Sequence, residues 1–171
     1  YLQELTGAHV TIGDAHFGFF EGIRLQNVRA FIDEDDPQPF FETSEIILWH
    51  RPWALAMGKF KPVRIIFSHP RVIMEHDAET GRYAFESLLG DEGSMSGLGG
   101  DLPVIVVNRA RYLPVEVQGG IRANGRMSLW DAVFTPDKDN TYQITFQELR
   151  SSGANPLAGH AVLDVANGRL A

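Results

Sequence analysis

Apolar and polar residues alternate with a period of two along most of the chain, the pattern of β-strands whose side chains point to opposite faces in turn. Val63, Ile65 and Phe67 share one side of such a segment. Further strand-like segments, rich in β-branched and aromatic residues, follow residue 103: VIVVNRARYL, VEVQGGIRA, RMSLWDAVF, YQITFQEL and AGHAVLDV. The pattern predicts a mainly β protein.

Three early strands lose this alternation at a single step. The steps are Gly13-Asp14, Gln26-Asn27 and His69-Pro70. In the second of these strands, Ile23 and Leu25 lie on one side, whereas simple alternation puts Val28 on the other. Bulges and bends produce such slips in a strongly coiled sheet. The slips therefore predict a highly curved sheet with much apolar area on its concave side, although a closed barrel or a sandwich has the same pattern.

Tight turns are expected where glycine follows a residue that tolerates positive φ. The sequence has three such steps, Thr80-Gly81, Asn124-Gly125 and Asn167-Gly168. Recurrent tight turns join neighbouring antiparallel strands. The predicted fold is thus a curved antiparallel β-sheet, a groove-like meander, with one or two short helices.

Two segments interrupt the β pattern. One runs from Pro52, suited to a first helical position, to Gly58, suited to the position after a helix. The other, Phe85 to Leu89, has the length of one helical turn. A Gly/Ser-rich loop over 90–102 separates a curved sheet unit (1–89) from continuing antiparallel strands of the same sheet (103–171).

Charge is distributed unevenly along the chain. Its 15 basic and 22 acidic residues give a net charge of −7, which argues against general nucleic-acid binding. No Asp or Glu occurs from Ile46 to Met74, a window that holds five basic residues: Arg51, Lys59, Lys61, Arg64 and Arg71. The sequence predicts one basic patch on an otherwise acidic protein.

The sequence lacks cysteine, which excludes disulfides and thiolate chemistry. It begins at Tyr1 without an apolar leader and stops inside an unfinished hairpin. We therefore expect a fragment, with any signal or anchoring segment outside it.

Residues suited to catalysis or metal binding are scarce. No GxSxG motif occurs. His76 with Glu75 or Asp77, and His69 across a reversal, form a weak metal or catalytic candidate, because alternate strand residues point apart. The acidic run 33–36 lacks the ligand spacing of a calcium loop and predicts a solvated turn. We expect no enzyme activity, no metal and no cofactor.

An aromatic cluster lies beside the basic residues. Trp49, Trp53 and Met57 follow one another at steps of four, which would stack them on one helical face. With Arg51, Lys59 and Lys61 they are candidates for a membrane interface, where each basic residue contributes about 1 kcal/mol. The alternative, which the shortness of the segment favours, is that the tryptophans pack against the end of the β core.

Several phrases resemble the AsmA-like family. The segment LTGAHVTIGDAHFGFFEGIRLQNVRAFID contains a pattern similar to that family's opening, carried by Phe20, Gly22, Ile23, Leu25, Asn27 and Val28. A later run is similar to a second family pattern, at Pro70, Val72, Asp77, Gly81, Tyr83, Leu88 and Leu89. The segments LPVIVVNRARYLPVEV and PLAGHAVLDVANGRLA are similar in character. The turn at 76–80 is longer than the family's, and the family's N-terminal transmembrane helix does not occur in the sequence.

This resemblance implies part of a periplasmic envelope protein of the AsmA and TamB group, anchored to the inner membrane by a segment outside the sequence. Related bridge-like proteins carry phospholipids along an apolar β-groove, for transport between membranes or maintenance of the outer membrane. The implied partners are phospholipid acyl chains, a membrane surface and other envelope proteins. Ten residues are candidates to line the groove: Ile23, Leu25, Val28, Val63, Ile65, Phe67, Val104, Val106, Ile144 and Phe146.

Two alternatives to a lipid carrier remain open. One is a non-catalytic β-sandwich that binds protein or carbohydrate. The other is an enzyme that uses His76. Exposed strand edges also make pairing of two copies conceivable.

Overall fold

A computed structural model describes residues 8–84, 102–138, 141–149, 157–164 and 169–170. In this part of the chain the protein is one curved, mixed β-sheet with a single short helix. The strands are β1 (His9–Thr11), β2 (Asp14–Gly18), β3 (Gly22–Phe31), β4 (Phe41–His50), β5 (Pro62–Ser68), β6 (Arg71–Asp77), β7 (Val104–Gln118), β8 (Ile121–Asn124), β9 (Ser128–Pro136), β10 (Thr141–Glu148), β11 (Ala158–Asp164) and β12 (Arg169–Leu170). The prediction of a mainly β protein with a curved sheet is confirmed.

The strand order across the sheet is β1-β3-β4-β5-β7-β9-β10-β11-β12. Three pairs of short strands are successive segments along one neighbour. β1 and β2 both lie on β3, β5 and β6 both lie on β7, and β8 and β9 both lie on the other side of β7. Each pair is therefore one long strand that is interrupted once.

The sheet is mixed, which corrects the prediction of a purely antiparallel meander. β5 and β6 run parallel to β7, and the remaining pairs are antiparallel. Parallel neighbours need a long crossover, here residues 78–103, rather than a tight turn. Local turn signals could not reveal a pairing that depends on so long a connection.

The tight turns agree with the sequence in part. Gly81 has φ 69° in the turn after β6, as expected. The hairpin between β7 and β8 turns at Gly119 and Gly120, with φ 55° and 78°. The pattern VEVQGGIRA predicted a continuous strand there instead. Asn124-Gly125 is not a hairpin, because β8 and β9 continue along the same neighbour. Asn167-Gly168 lies outside the described residues.

A line of backbone irregularities, which we call the crease, crosses the sheet. Asn27 in β3, His69 between β5 and β6, and Arg109 in β7 have φ of 52°, 52° and 54°, in the left-handed region. Gly13, between β1 and β2, donates to the carbonyl of Gln26 beside Asn27. The register is preserved on both sides of the crease from β1 to β7, so the strands bend together. All three predicted slips lie on this line.

The crease ends at β9, which remains regular. Val107 pairs with Ala132 and Ala110 with Trp130, so β7 carries one extra residue there. The carboxylate of Asp131 accepts a hydrogen bond of 2.6 Å from the Arg109 amide. On β4, the Thr43 and Ser44 hydroxyls each donate to the carbonyl of Ser68 at 2.8 Å. Side chains thus satisfy backbone groups that the bend displaces.

The helix α1 (Pro52–Ala56) forms where it was predicted. Pro52 stands in its first turn, and Gly58, with φ 72°, ends it. The second predicted helical segment, Phe85 to Leu89, and almost all of the predicted loop at 90–102 lie outside the described residues. The acidic run at 33–36 forms the predicted turn, in which the Asp36 carboxylate accepts from the Asp33 amide.

The described elements form a single layer. Every pair of them with extensive contact is a pair of hydrogen-bonded neighbours in the sheet. The two packed layers of a sandwich do not occur among the described strands. A β-sheet with an apolar face normally buries that face against a second layer, so the state of the two faces is the central feature of this molecule.

Candidate functional site

One face of the sheet is continuously apolar. Residues that pair across neighbouring strands point to the same face, so the register defines rows of side chains. The first row is Ile23, Leu48, Ile65, Ile105, Phe134, Ile144 and Ala161. The second is Leu25, Ile46, Phe67, Val107, Ala132, Phe146 and Gly159. Neither row contains a polar or charged side chain.

Exposure along β3 and β10 indicates that this apolar face is the concave one. Along β3, Ile23 and Leu25 are half-buried, whereas Arg24 and Gln26 on the opposite face are exposed. Along β10, Ile144 is 8% exposed, whereas the neighbouring Thr145 is an exposed residue. Because the described strands carry no covering layer, this difference arises from side chains that lean together on the inner side of the curve.

The concave face continues beyond the crease. β9 is regular, so Trp130 and Ser128 share the face of Ala132 and Phe134. Ser128 pairs with Tyr112, and pairing continues from strand to strand across the sheet. The residues on this face therefore include Tyr112, Val72, Phe41 and Ala30. Phe41 and Phe67, on opposite sides of the crease, pack edge to face, with their ring centroids 5.9 Å apart. The sheet therefore folds into a trough whose floor follows the crease.

This geometry explains the slip at Asn27. Simple alternation would turn Val28 away from Ile23 and Leu25, but the left-handed residue restores Val28 to the concave face, where it is 5% exposed. The bend thus keeps the face apolar on both walls of the trough.

The structure places eight of the ten predicted groove residues on the concave face: Ile23, Leu25, Val28, Val63, Ile65, Phe67, Ile144 and Phe146. Val104 and Val106 lie on the convex face, so their assignment was wrong, and Ile105 and Val107 occupy the trough instead. Four consecutive apolar residues carry no alternation, and the phase of β7 could not be read from them.

The trough is electrically neutral along its rows. The hydroxyl of buried Tyr142 donates to the carbonyl of Pro103 at 3.0 Å, and burial raises the pKa of this tyrosine. Burial and the nearby Tyr83 likewise raise the pKa of Tyr112. Both phenols therefore remain uncharged at neutral pH. The Phe146 ring lies across Gly159, where a Cβ atom would stand 2.6 Å from it.

The convex face differs in character. It carries one apolar row before the crease, Ile47, Ile66, Val106 and Val133. Just beyond the crease Arg29, Glu42, Arg71 and Arg111 stand side by side. Past them lies a second apolar group, Ile73, Leu113 and Val115, in which Val115 is 2% and Ile73 4% exposed. Arg71 and Glu42 form an ion pair of 3.2 Å. Its apolar area is thus divided by a row of charged side chains.

An exposed aromatic cluster lies at the edge of one trough wall. We call it the aromatic rim and define it as Phe19, Phe20, Trp53, Met57 and Phe60 with Arg51, Lys59, Lys61 and Arg64. Trp53, Phe20 and Met57 are 79%, 75% and 70% exposed. The turn between β2 and β3, the end of β4, α1 and the start of β5 bring these residues to one end of neighbouring strands.

The six predicted interface residues are all exposed: Trp49, Arg51, Trp53, Met57, Lys59 and Lys61. They do not share one helical face as expected, because Trp49 lies in β4 and Met57 follows α1. Trp53 does not pack against the core, so the favoured alternative was wrong. The sequence did not reveal Phe19, Phe20 and Phe60 as members of this cluster. They reach it only because β2 pairs with β3, β3 with β4 and β4 with β5.

His50 connects the rim with the trough. It is 6% exposed, its ring stacks on Phe17 at 5.8 Å, and Phe60 lies 6.0 Å away. Neither ring nitrogen has a hydrogen-bond partner within the described part of the chain. An aromatic path thus leads from Phe60 over His50 to Phe17 on the concave face.

The histidine candidate for catalysis or metal binding does not assemble. His76 packs against Tyr83 at 5.0 Å, Glu75 pairs with Arg122, and Asp77 accepts bonds from the amides of Glu79 and Thr80. His69 lies at the crease, before β6, with no chain reversal towards His76 at the far end of that strand. Among the described residues no group of His, Asp or Glu could hold a metal ion.

Comparison of the chain with protein-family models, curated proteins and solved structures gave no match. The described residues also contain no helix with the length and hydropathy of a membrane span. The resemblance to the AsmA-like family stays a prediction, and the function is inferred from the geometry of the sheet.

Proposed function

We propose that the concave trough is a groove for lipid acyl chains. The observation that carries this proposal is the pair of uninterrupted apolar rows, which cross β3, β4, β5, β7, β9, β10 and β11 without a covering layer among the described residues. Large continuous apolar surfaces mark binding grooves or interaction sites, because exposing them to water is unfavourable.

The dimensions of the trough suit an acyl chain. Neighbouring strands lie about 4.8 Å apart, so the four spacings from β3 to β9, where the crease ends, span roughly 19 Å. The hydrocarbon core of a whole bilayer is about 30 Å thick, so the chains of one leaflet need only about half of that length. An acyl chain lying along the crease would contact both walls, while a polar head group stays at the open side.

The chemistry of the trough supports an apolar cargo. Its two rows have no charged group, and its tyrosine hydroxyls remain neutral. Such a surface offers no fixed hydrogen-bond pattern for a sugar or a peptide backbone. Together with the resemblance described above, it supports a role in lipid transport or membrane maintenance in the cell envelope, without catalysis or a cofactor.

The test is native mass spectrometry of the purified chain, followed by organic extraction and identification of bound molecules. We expect phospholipid at a defined stoichiometry. Ile65→Asp places a charge in the trough and should abolish loading. Ile66→Asp is the matched control, because it makes the same change at the next residue of β5, on the convex face and at similar burial.

Circular dichroism and thermal unfolding establish that both variants are folded. Equal loading of the two variants would contradict the groove. A folded monomer that stays free of lipid even after incubation with phospholipid would instead favour a non-catalytic interaction module.

A further inference from the structure

We propose that the aromatic rim docks the protein onto an anionic lipid bilayer, at the place where lipid passes between the bilayer and the trough. The docking itself follows from the rim alone, whereas its use for lipid exchange rests on the proposed groove.

The apolar part of the rim is unusually exposed for a folded protein. Trp53, Phe20 and Met57 each keep 70% or more of their surface in contact with solvent. They belong to two separate connections, the β2–β3 turn and the segment around α1, which the sheet brings to the same end. Aromatic rings favour the boundary between lipid head groups and acyl chains, since they are apolar with polar or polarisable edges.

The charge of the rim identifies the partner. Arg51, Lys59, Lys61 and Arg64 are exposed, and none of them forms an ion pair within the described residues. Within the described segments that form the rim, 19–22 and 49–64, the acidic residue is the exposed Glu21 in the β2–β3 turn, on a chain whose net charge is −7. Free cations interspersed with exposed aromatic residues complement a surface of anionic head groups.

The position of the rim connects it with the trough. Phe60 contacts His50, and His50 stacks on Phe17, which pairs with Ile23 in the first apolar row. The aromatic rings of Phe60 and Phe17, with the buried His50 packed between them, thus connect the rim with the concave face. The unpartnered ring nitrogens of His50 are the polar atoms along this path.

Vesicle flotation tests the docking. We expect the protein to float with vesicles of phosphatidylcholine and phosphatidylglycerol, to bind vesicles of phosphatidylcholine alone much more weakly, and to be released by high salt, which screens charge. The double variant Lys59→Glu, Lys61→Glu should lower the affinity at least about tenfold. The matched control, Arg126→Glu with Lys138→Glu, changes the net charge equally at exposed positions outside the rim and should bind like the wild type.

The aromatic contribution has its own matched pair. Trp53→Ser should weaken flotation with anionic vesicles, whereas Ile121→Ser, which removes a side chain that is 75% exposed on β8, should not. Both positions are at the surface, so neither change disturbs the fold.

The outcomes separate docking from the groove. If both proposals hold, the rim variants lose vesicle binding but keep co-purified lipid, and Ile65→Asp does the reverse. Equal binding of the rim variants and their controls would overturn the docking proposal. So would a stable dimer that Trp53→Ser converts to a monomer, because the rim would then bind a second copy of the chain.

Discussion

The two faces of this sheet are made by the same strands, yet they differ in what they offer to the surroundings. The concave face has two apolar rows that cross seven strands without a polar interruption. The convex face has an apolar row before the crease and a separate apolar group, Ile73, Leu113 and Val115, beyond it, with a row of arginine and glutamate residues between them. The apolar surface is thus continuous on the concave face and divided on the convex one.

Among the described strands no second layer covers the concave rows, so their partial burial depends on the curvature of the sheet. A flat sheet of this sequence would expose both rows to solvent, at a free-energy cost of roughly 25 cal/mol per Å² of exposed apolar area. The crease is therefore part of the proposed binding surface as well as of the fold, and changes that flatten it should affect both.

The largest difference between the faces is expected at β10. Ile144→Asp puts an unpaired carboxylate at a site that is 8% exposed on the concave side and should lower the free energy of unfolding by about 3–5 kcal/mol. Thr145→Asp, the next residue on the convex side, should change it by less than about 0.5 kcal/mol. Urea denaturation of both variants measures the contrast, and similar losses would mean that the convex face is covered too.

A smaller effect is expected at the crease itself. Asn27 has φ 52°, which a β-branched residue adopts only with strain. Asn27→Val should therefore lower the free energy of unfolding by about 1–2 kcal/mol, while Asn27→Gly, which adopts this conformation freely, should leave it within about 0.5 kcal/mol. Denaturation and lipid loading can be measured on the same samples. If Val is tolerated as well as Gly, the left-handed residue does not hold the bend.

The smallest expected effect is on the stability of the folded protein at acidic pH. Hydrogen bonds from the Glu79 amide, and then from Thr80, lower the pKa of Asp77 below its ordinary value. A depressed pKa stabilises the folded state above the ordinary pKa, and this contribution is lost as the pH falls through the folded value. Stability should thus be insensitive to this turn between pH 5 and 8 and decline below about pH 4.

Asp77→Asn removes this titration, so the acid limb of its pH–stability curve should be shallower than that of the wild type. Thermal unfolding across the pH range measures the difference. The neutral rows of the trough predict no matching acid dependence of lipid loading in the folded protein, and a loss of lipid in parallel with the titration of Asp77 would contradict the separation of the two regions.

Much of the trough could be predicted from alternation alone. Ile23, Leu25, Ile65 and Phe67 share one face of the sheet, as the alternation predicts, because each belongs to a segment with clear period two. The slips at Asn27 and His69 were also recognised as bends, since only an irregular backbone reconciles their two phases. Val104 and Val106 were misplaced because an unbroken apolar run has no phase of its own, and only its pairing with β5 and β9 determines which side points inward.

The sequence by itself determined the strand content, the short helix after Pro52, the three bend positions and the basic window, because these depend on local conformational preferences and composition. The tertiary structure alone decided that the bends align into one crease, that β5 and β6 run parallel to β7, and that Phe19, Phe20 and Phe60 join Trp53 at one rim. The physical reason is the same in each case: strand pairing connects residues that are far apart in the chain, and its register is set by the whole sheet rather than by any local segment.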